Sequence, residues 1–238
     1  MADELKGCKI PSGRELVFTQ NSNVYRIPSV EIEPYLAPCN HEEADSRMFL
    51  HAYESAEQGY SRVTIRSPDT DVFVIAISCF PKLNVEYLWI HAGTVDEPIL
   101  YPIHDIYHDV GSELSSGLPA FHALSGCDQL SGFAGHGKRS CWNKWMCNPE
   151  LNLHLARLSC SSERLPYYVE AALPVFQRFV SHLYGIIIDT YDSIDEARYQ
   201  LARQGKTFLQ LPPTADARRQ LLLRVALVAG HVWGNCLN

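Results

Sequence analysis

Two short apolar runs flank a turn that carries two acidic residues. The first run extends from Val63 to Ile65, the second from Val72 to Ile77, and Asp69 and Asp71 lie one residue apart between them. A β-branched run bounded by turn residues is typical of a strand, whereas the second run is compatible with a strand or a buried helix. The pattern predicts a strand that delivers two carboxylates to the rim of a sheet.

Apolar periodicity divides the rest of the chain into alternating strands and helices. Strands are predicted over 14–19 and 23–27, which form a hairpin, and over 62–66 and 85–91. Helices are predicted over 41–58, 103–110, 118–124, 151–158, 168–184, 194–204 and 215–232. This alternation favours an α/β fold with a mainly parallel sheet flanked by helices. Ligands of such sheets bind beyond the carboxyl ends of the strands.

Composition limits the class of protein. The 238 residues are 46% hydrophobic and 20% charged, which is ordinary for one sizeable globular domain. The N-terminus has no apolar signal segment and no apolar run is long enough for a membrane span, so we expect an intracellular protein, nuclear or cytoplasmic, with no membrane partner. The net charge of −7 argues against nucleic-acid binding. That objection weakens if bound cations neutralise several acids.

Two further acidic clusters lie at the ends of predicted elements. Glu43 and Asp45 open the helix predicted over 41–58, for which Asn40 is a candidate cap, and Asp128 follows the helix predicted over 118–124. Acids at a helix N-terminus can simply complement its dipole. Carboxylates converging from several elements instead suit Mg²⁺ or Mn²⁺, because these cations prefer oxygen ligands. Two such cations can hydrolyse a phosphodiester.

A glycine-rich segment follows Asp128. Within it, Gly135 and Gly137 predict a tight turn between two helices, whose backbone N–H groups can hold a phosphate. The segment is not a nucleotide-binding P-loop, because Arg139 occupies the position that requires Ser or Thr.

The eight cysteines include no C-x-x-C pair. A zinc site at Cys141 and Cys147 with His136 and His154 is a minor alternative to free thiols in a reducing compartment. We expect Trp142, Trp145 and Trp233 to pack in the core rather than to stack on bases.

The three acidic motifs resemble those of the flap endonuclease and 5′→3′ exonuclease branch of the PIN-like nucleases. Residues 43–45 (Glu-Ala-Asp) resemble that branch's Glu-x-Glu helix start, and residues 69–71 (Asp-Thr-Asp) its Asp-x-Asp after a central strand. Residues 126–128 (Gly-Cys-Asp) and 135–138 (Gly-His-Gly-Lys) resemble its Gly-x-Asp and helix-turn-helix. The likeness covers about residues 40–145. Most of the chain also looks like an abundant group of animal proteins associated with mobile elements.

The resemblance implies divalent-metal-dependent phosphodiester hydrolysis, on DNA rather than RNA, with selectivity for ends, flaps or junctions. The catalytic metal ligands that it implies are Glu43, Asp45, Asp69, Asp71 and Asp128. The nucleic-acid contacts that it implies are Gly135, Gly137 and Lys138, with Arg139 and Lys144 as auxiliary positive charges. Alternatives are a non-catalytic module that binds nucleic acid or protein, a transposase-like enzyme of the RNase H type, and a purely structural domain.

The region before Glu43 departs from this family. The family's fold opens with a strand that carries another catalytic Asp, and we find no counterpart in the preceding 42 residues. We therefore expect the N-terminal part of that fold to be missing and one ligand with it. Three regions are predicted: a hairpin and linker over 1–40, a nuclease-like core with the helix-turn-helix over 41–147, and a helical region over 148–238.

Overall fold

The computed structural model describes residues 10–28, 36, 41, 43–94, 96–160, 162–187 and 193–234. Within these residues the chain forms helices and two small sheets, which confirms the predicted α/β class. The first sheet is the hairpin of β1 (Leu16–Gln20) and β2 (Asn23–Ile27). Its two-residue turn includes Asn21 at a φ of 56°, a conformation that asparagine tolerates. The predicted hairpin is therefore confirmed.

The second sheet has three strands in the order β3-β4-β5. The strands are β3 (Arg62–Arg66), β4 (Tyr87–Gly93) and β5 (Pro98–Pro102). β3 and β4 are parallel, but β4 and β5 are antiparallel because only a short turn joins them. The expectation of a mainly parallel sheet is thus corrected to a mixed sheet. β5 was not predicted from the sequence, since prolines stand at both of its ends and weaken the strand pattern.

The second apolar run is a helix, α2 (Thr70–Cys79), rather than a strand. Asp69 caps it: its Oδ1 accepts a hydrogen bond of 2.9 Å from the backbone N–H of Asp71. Asp is among the strongest helix N-caps, and the uniformly apolar run is buried on nearly all sides, as expected of a core helix. Both aspartates consequently lie at a helix N-terminus directly after β3.

The predicted helix over 41–58 is α1 (Ala44–Glu57). Its N-cap is Glu43 rather than Asn40, which lies outside the described residues. The remaining helices are α3 (Ile103–Val110), α4 (Ser112–Ser125), α5 (Lys138–Met146), α6 (Glu150–Leu158), α7 (Leu165–Leu183), α8 (Ile194–Arg203) and α9 (Ala215–Val225), followed by a π-helical segment (Ala226–Trp233).

One contiguous hydrophobic core extends from Phe49 on α1 to Trp233 in the π-helical segment. Trp145 and Trp233 are each only 1% exposed, which confirms the packing role predicted for them. Helix α4 runs through the core, where it packs against α2 and α6. His122 is therefore buried along with most of the apolar residues of α4, and its imidazole lies beside α2.

A buried ion pair joins the hairpin to the helical layer. The guanidinium of Arg26 on β2 contacts the carboxylate of Glu54 on α1, and both side chains are almost fully buried. Nε of Arg26 also lies 3.8 Å from a carboxylate oxygen of Glu15. The pair fixes the hairpin against α1, whose first residues carry the predicted acids.

In the part of the chain that the structure describes, no helix combines the length and apolar character needed to cross a membrane.

Candidate acidic site

The five predicted acids come from three elements that meet at one end of the sheet. Glu43 and Asp45 open α1, and Asp69 and Asp71 open α2. Asp128 lies in the turn after α4, which is closed by a bridge between the residues on either side of it, Cys127 and Leu130. We call these five side chains the acidic cluster: Glu43, Asp45, Asp69, Asp71 and Asp128.

Electrostatics show that the acidic cluster shares one environment. Burial raises the pKa of Asp45, and so do the negative charges of the four other acids, in the order Asp69, Glu43, Asp71 and Asp128. A carboxyl group responds in this way only to like charges close to it. The structure therefore places in one region side chains that lie as far apart in sequence as 43 and 128.

His122 is a partner of the acidic cluster that the sequence did not identify. Its Nε2 lies 2.8 Å from Oδ1 of Asp71, which is only 9% exposed. Burial lowers the pKa of His122, and the nearby charge of Lys138 lowers it further, while the hydrogen bond to Asp71 opposes both. A neutral imidazole satisfies this geometry, with Nε2–H donating to Asp71. The two residues are 51 positions apart, so no local pattern signals the contact.

Lys138 lies on the far side of the same imidazole. Its Nζ donates to Nδ1 of His122 at 3.3 Å, to the backbone carbonyl of His122 at 3.3 Å and to the carbonyl of Gly126. Burial lowers the pKa of Lys138, although Cys127 and Asp71 act in the opposite direction. The ammonium also compensates carbonyls at the C-terminus of α4. Lys138, His122 and Asp71 thus form a continuous polar chain from α5 through α4 to α2.

The predicted phosphate-binding turn, residues 135–137, lies between α4 and α5, and we call it the glycine-rich turn. Gly135 adopts a φ of 78°, which suits glycine, and Gly137 is the N-cap of α5. Gly135, Gly137 and Arg139 are exposed, and Lys144 is half-buried on α5. The first backbone N–H groups of a helix have no partner within the helix. The turn therefore presents donors to solvent close to Lys138.

One close backbone approach and one side-chain hydrogen bond hold the loop that carries Asp128. A Cβ placed on Gly132 would lie 2.2 Å from the carbonyl oxygen of Ser125, the last residue of α4. In addition, the side-chain amide of Gln129 donates to Oε1 of Glu43 at the start of α1. The Asp128 turn is thus fixed to both neighbouring helices. Sequence reasoning did not identify Gln129, whose partner is 86 positions away.

The oxygen-only donor set fits Mg²⁺ or Mn²⁺ by ligand type, and the repulsion at Asp45 fits a site that gains from a bound cation. Nevertheless, within the described ranges no group of three or more His, Cys, Asp or Glu side chains is arranged to hold a metal ion. The same statement applies to the zinc alternative, and Cys141 and Cys147 carry free thiols. Ligation by the acidic cluster would thus require its side chains to draw closer.

Comparison with known proteins adds no relative. No family model matches the chain, and no curated protein or solved structure matches it significantly. Functional assignment therefore rests on the geometry of the acidic cluster and on the motif resemblance.

Repulsion within the acidic cluster predicts that Asp45→Asn stabilises the metal-free protein. Folding raises the pKa of Asp45, so its protonated form favours the folded state. This contribution to stability is fully present at low pH and is lost as the pH rises through the raised pKa. The uncharged amide of the variant removes the repulsion at neutral pH, with a gain below about 1 kcal/mol because the side chain is partly exposed to solvent screening. Thermal denaturation in EDTA should show a higher Tm for the variant at pH 7.

This difference should disappear as the pH falls below about 4, where the carboxyl is protonated in both the folded and the unfolded state. Asp109→Asn, at an exposed position on α3, is the control and should leave the pH dependence unchanged. An Asp45→Asn variant that is less stable than wild type at pH 7 would contradict the prediction.

Proposed function

We propose that the protein hydrolyses phosphodiester bonds of nucleic acid, DNA rather than RNA, with a divalent cation held by the acidic cluster. The observation that carries the proposal is the placement of five carboxylates from three elements at one end of the sheet, where the other four act on Asp45. The like charges around Asp45 disfavour its ionised form, and a bound cation would relieve that repulsion. The resemblance of the acid motifs to those of flap endonucleases and 5′→3′ exonucleases supplies the reaction class.

The residues that would hold Mg²⁺ or Mn²⁺ are the five members of the acidic cluster. When bound, such a cation lowers the pKa of a water molecule and neutralises charge on the phosphate. The chain's own residues prepare the site. His122 fixes one oxygen of Asp71, and Gln129 fixes one oxygen of Glu43. Donors of the glycine-rich turn would position the phosphate backbone without reading its sequence.

A second candidate function is a non-catalytic module that binds nucleic acid or protein. The contacts of Lys138 favour it, because its ammonium is already engaged by His122 and by the carbonyl of Gly126. Binding by such a module would depend on the exposed turn and on Arg139, and would be independent of the acidic cluster.

The test is cleavage of labelled single-stranded and 5′-flap DNA in Mg²⁺ or Mn²⁺, with EDTA as the metal-free control. The double variant Asp69→Asn/Asp71→Asn should lose about a thousandfold in rate, which corresponds to ~4 kcal/mol of transition-state stabilisation. Asp109→Asn removes an exposed acid on α3, outside the acidic cluster, and should cleave like wild type.

Circular dichroism and thermal denaturation would establish that each variant is folded. A folded wild-type protein that cleaves neither substrate would overturn the catalytic proposal. DNA binding of equal strength in EDTA and Mg²⁺, without turnover, would favour the second candidate.

A further inference from the structure

A cavity of about 280 Å³ opens beside the glycine-rich turn. The residues that surround it come from the loop before this turn, from the end of α7, from α8, from the short 3₁₀ helix Phe208–Gln210, and from α9 and the segment that precedes it. They include Phe133, Ala134, Tyr184, Arg198, Phe208 and Leu221. The lining is mostly apolar with a few polar groups, which is the usual composition of a small-molecule site.

Phe208 is the unusual side chain of this cavity because it is 78% exposed. The guanidinium carbon of Arg198 lies 5.4 Å from the centre of its ring, a cation–π contact. Arg198 is itself fixed by donating to the carbonyl of Pro212. The cation is therefore positioned at the ring, most of whose surface is open to a flat ligand.

We propose that this cavity receives a nucleobase of a single-stranded nucleic acid, stacked on Phe208. Stacking on exposed aromatic rings, assisted by arginine, is how proteins hold single strands without reading sequence. The charge of the lining agrees with an anionic strand, since the one charged side chain among the described residues that line the cavity is the cation Arg198.

The cavity is continuous with the turn that would contact phosphate. Ala134 lines the cavity and immediately precedes Gly135. Gly135 in turn lies beside the backbone of Leu209, since a Cβ placed on this glycine would lie 3.8 Å from the carbonyl oxygen of Leu209. The ring of His136 packs on the ring of Tyr184 with 4.6 Å between their centres. A base in the cavity would consequently place its own phosphate at the turn. This inference rests on the proposed function and adds a base subsite to it.

The test is binding of a short fluorescein-labelled single-stranded DNA in EDTA, followed by fluorescence anisotropy. Phe208→Ala should raise Kd about fivefold to about a hundredfold, the range measured for losing one base–aromatic stack. Tyr199→Ala is the matched control. Like Phe208, Tyr199 is an exposed aromatic residue, and the guanidinium carbon of Arg203 lies 5.8 Å from its ring centre. Unlike Phe208, it lies on α8 and does not line the cavity.

An oligonucleotide with abasic positions separates stacking from backbone binding. It should bind wild type more weakly than the intact oligonucleotide does, and Phe208→Ala should bind both equally. The proposal is overturned if Phe208→Ala and Tyr199→Ala bind intact DNA alike, or if wild type binds abasic and intact DNA equally. It is also overturned if wild type binds no DNA while an apolar dye binds and is lost in Phe208→Ala, since the occupant would then be an apolar group of another class.

Because the assay contains no metal, its result is independent of catalysis. Loss of cleavage in Asp69→Asn/Asp71→Asn with intact stacking would support both proposals. If the wild-type protein shows the expected stacking but cleaves no DNA, only the catalytic proposal is overturned.

Discussion

Replacing Glu54 by alanine is expected to destabilise the protein by about 3–5 kcal/mol, the cost of removing one partner of a buried ion pair. Arg26 is 8% exposed in its side chain and Glu54 is 3% exposed. The truncation would leave a guanidinium in the interior whose remaining carboxylate partner among the described residues is the more distant Glu15, 3.8 Å from its Nε. The free energy of unfolding from urea denaturation measures the effect.

The double variant Arg26→Met/Glu54→Leu separates the ion pair from the lost packing. Apolar side chains of similar volume often replace a buried pair at little cost, so the double variant should recover most of the stability that Glu54→Ala loses. Glu150→Ala is the control, because the pair that Glu150 forms with Arg178 is nearly half exposed and should contribute less than about 1 kcal/mol. A loss below about 1 kcal/mol for Glu54→Ala would mean that water reaches the pair.

Gly132→Ala is expected to cost about 3 kcal/mol, the upper end of the usual range for overpacking. The added Cβ would lie 2.2 Å from the carbonyl oxygen of Ser125 and 2.8 Å from its carbon. These are backbone atoms at the end of α4, so they cannot rotate away as a flexible side chain would. Thermal or urea denaturation should show the loss.

Gly137→Ala is the matched control within the same glycine-rich segment. Among the described residues, chain neighbours aside, no heavy atom lies within 4 Å of a Cβ placed on Gly137, so the cost of this variant should stay below about 1 kcal/mol, the preference of an N-cap for glycine over alanine. Equal losses for the two variants would show that the contact with Ser125 does not fix the loop. Under the proposed function, Gly132→Ala should also slow cleavage, because the loop that it displaces carries Asp128.

The polar chain of Lys138, His122 and Asp71 supports the acidic cluster. Asp71 is fixed by His122, which accepts from Lys138, and Lys138 also binds the carbonyl of Gly126 beside the Asp128 turn. Two of the three elements that supply carboxylates are therefore linked through side chains of α4 and α5. Such support is what a preorganised site requires.

Local patterns predicted the elements that carry the acids. The hairpin, β3 and α1 follow from alternation, β-branched runs and 3.6-residue spacing, all of which act over a few neighbouring residues. The motifs placed each acid at the end of an element, and in the structure four of these acids lie near enough to Asp45 to raise its pKa.

Other features depended on contacts between distant residues. The run from Val72 to Ile77 became a helix through its cap at Asp69 and its burial on nearly all sides, which an apolar run does not specify alone. β5 became a strand because β4 offered an edge for pairing.

The sequence alone determined the α/β class, the acid-bearing elements and the glycine-rich turn. Only the tertiary structure decided that His122 supports Asp71, that Lys138 donates to His122 and that Phe208 lines a cavity beside Gly135. The physical reason is range. Caps and periodicity act within one or two turns of chain, whereas these contacts form only when packing around the buried helix α4 brings distant segments together.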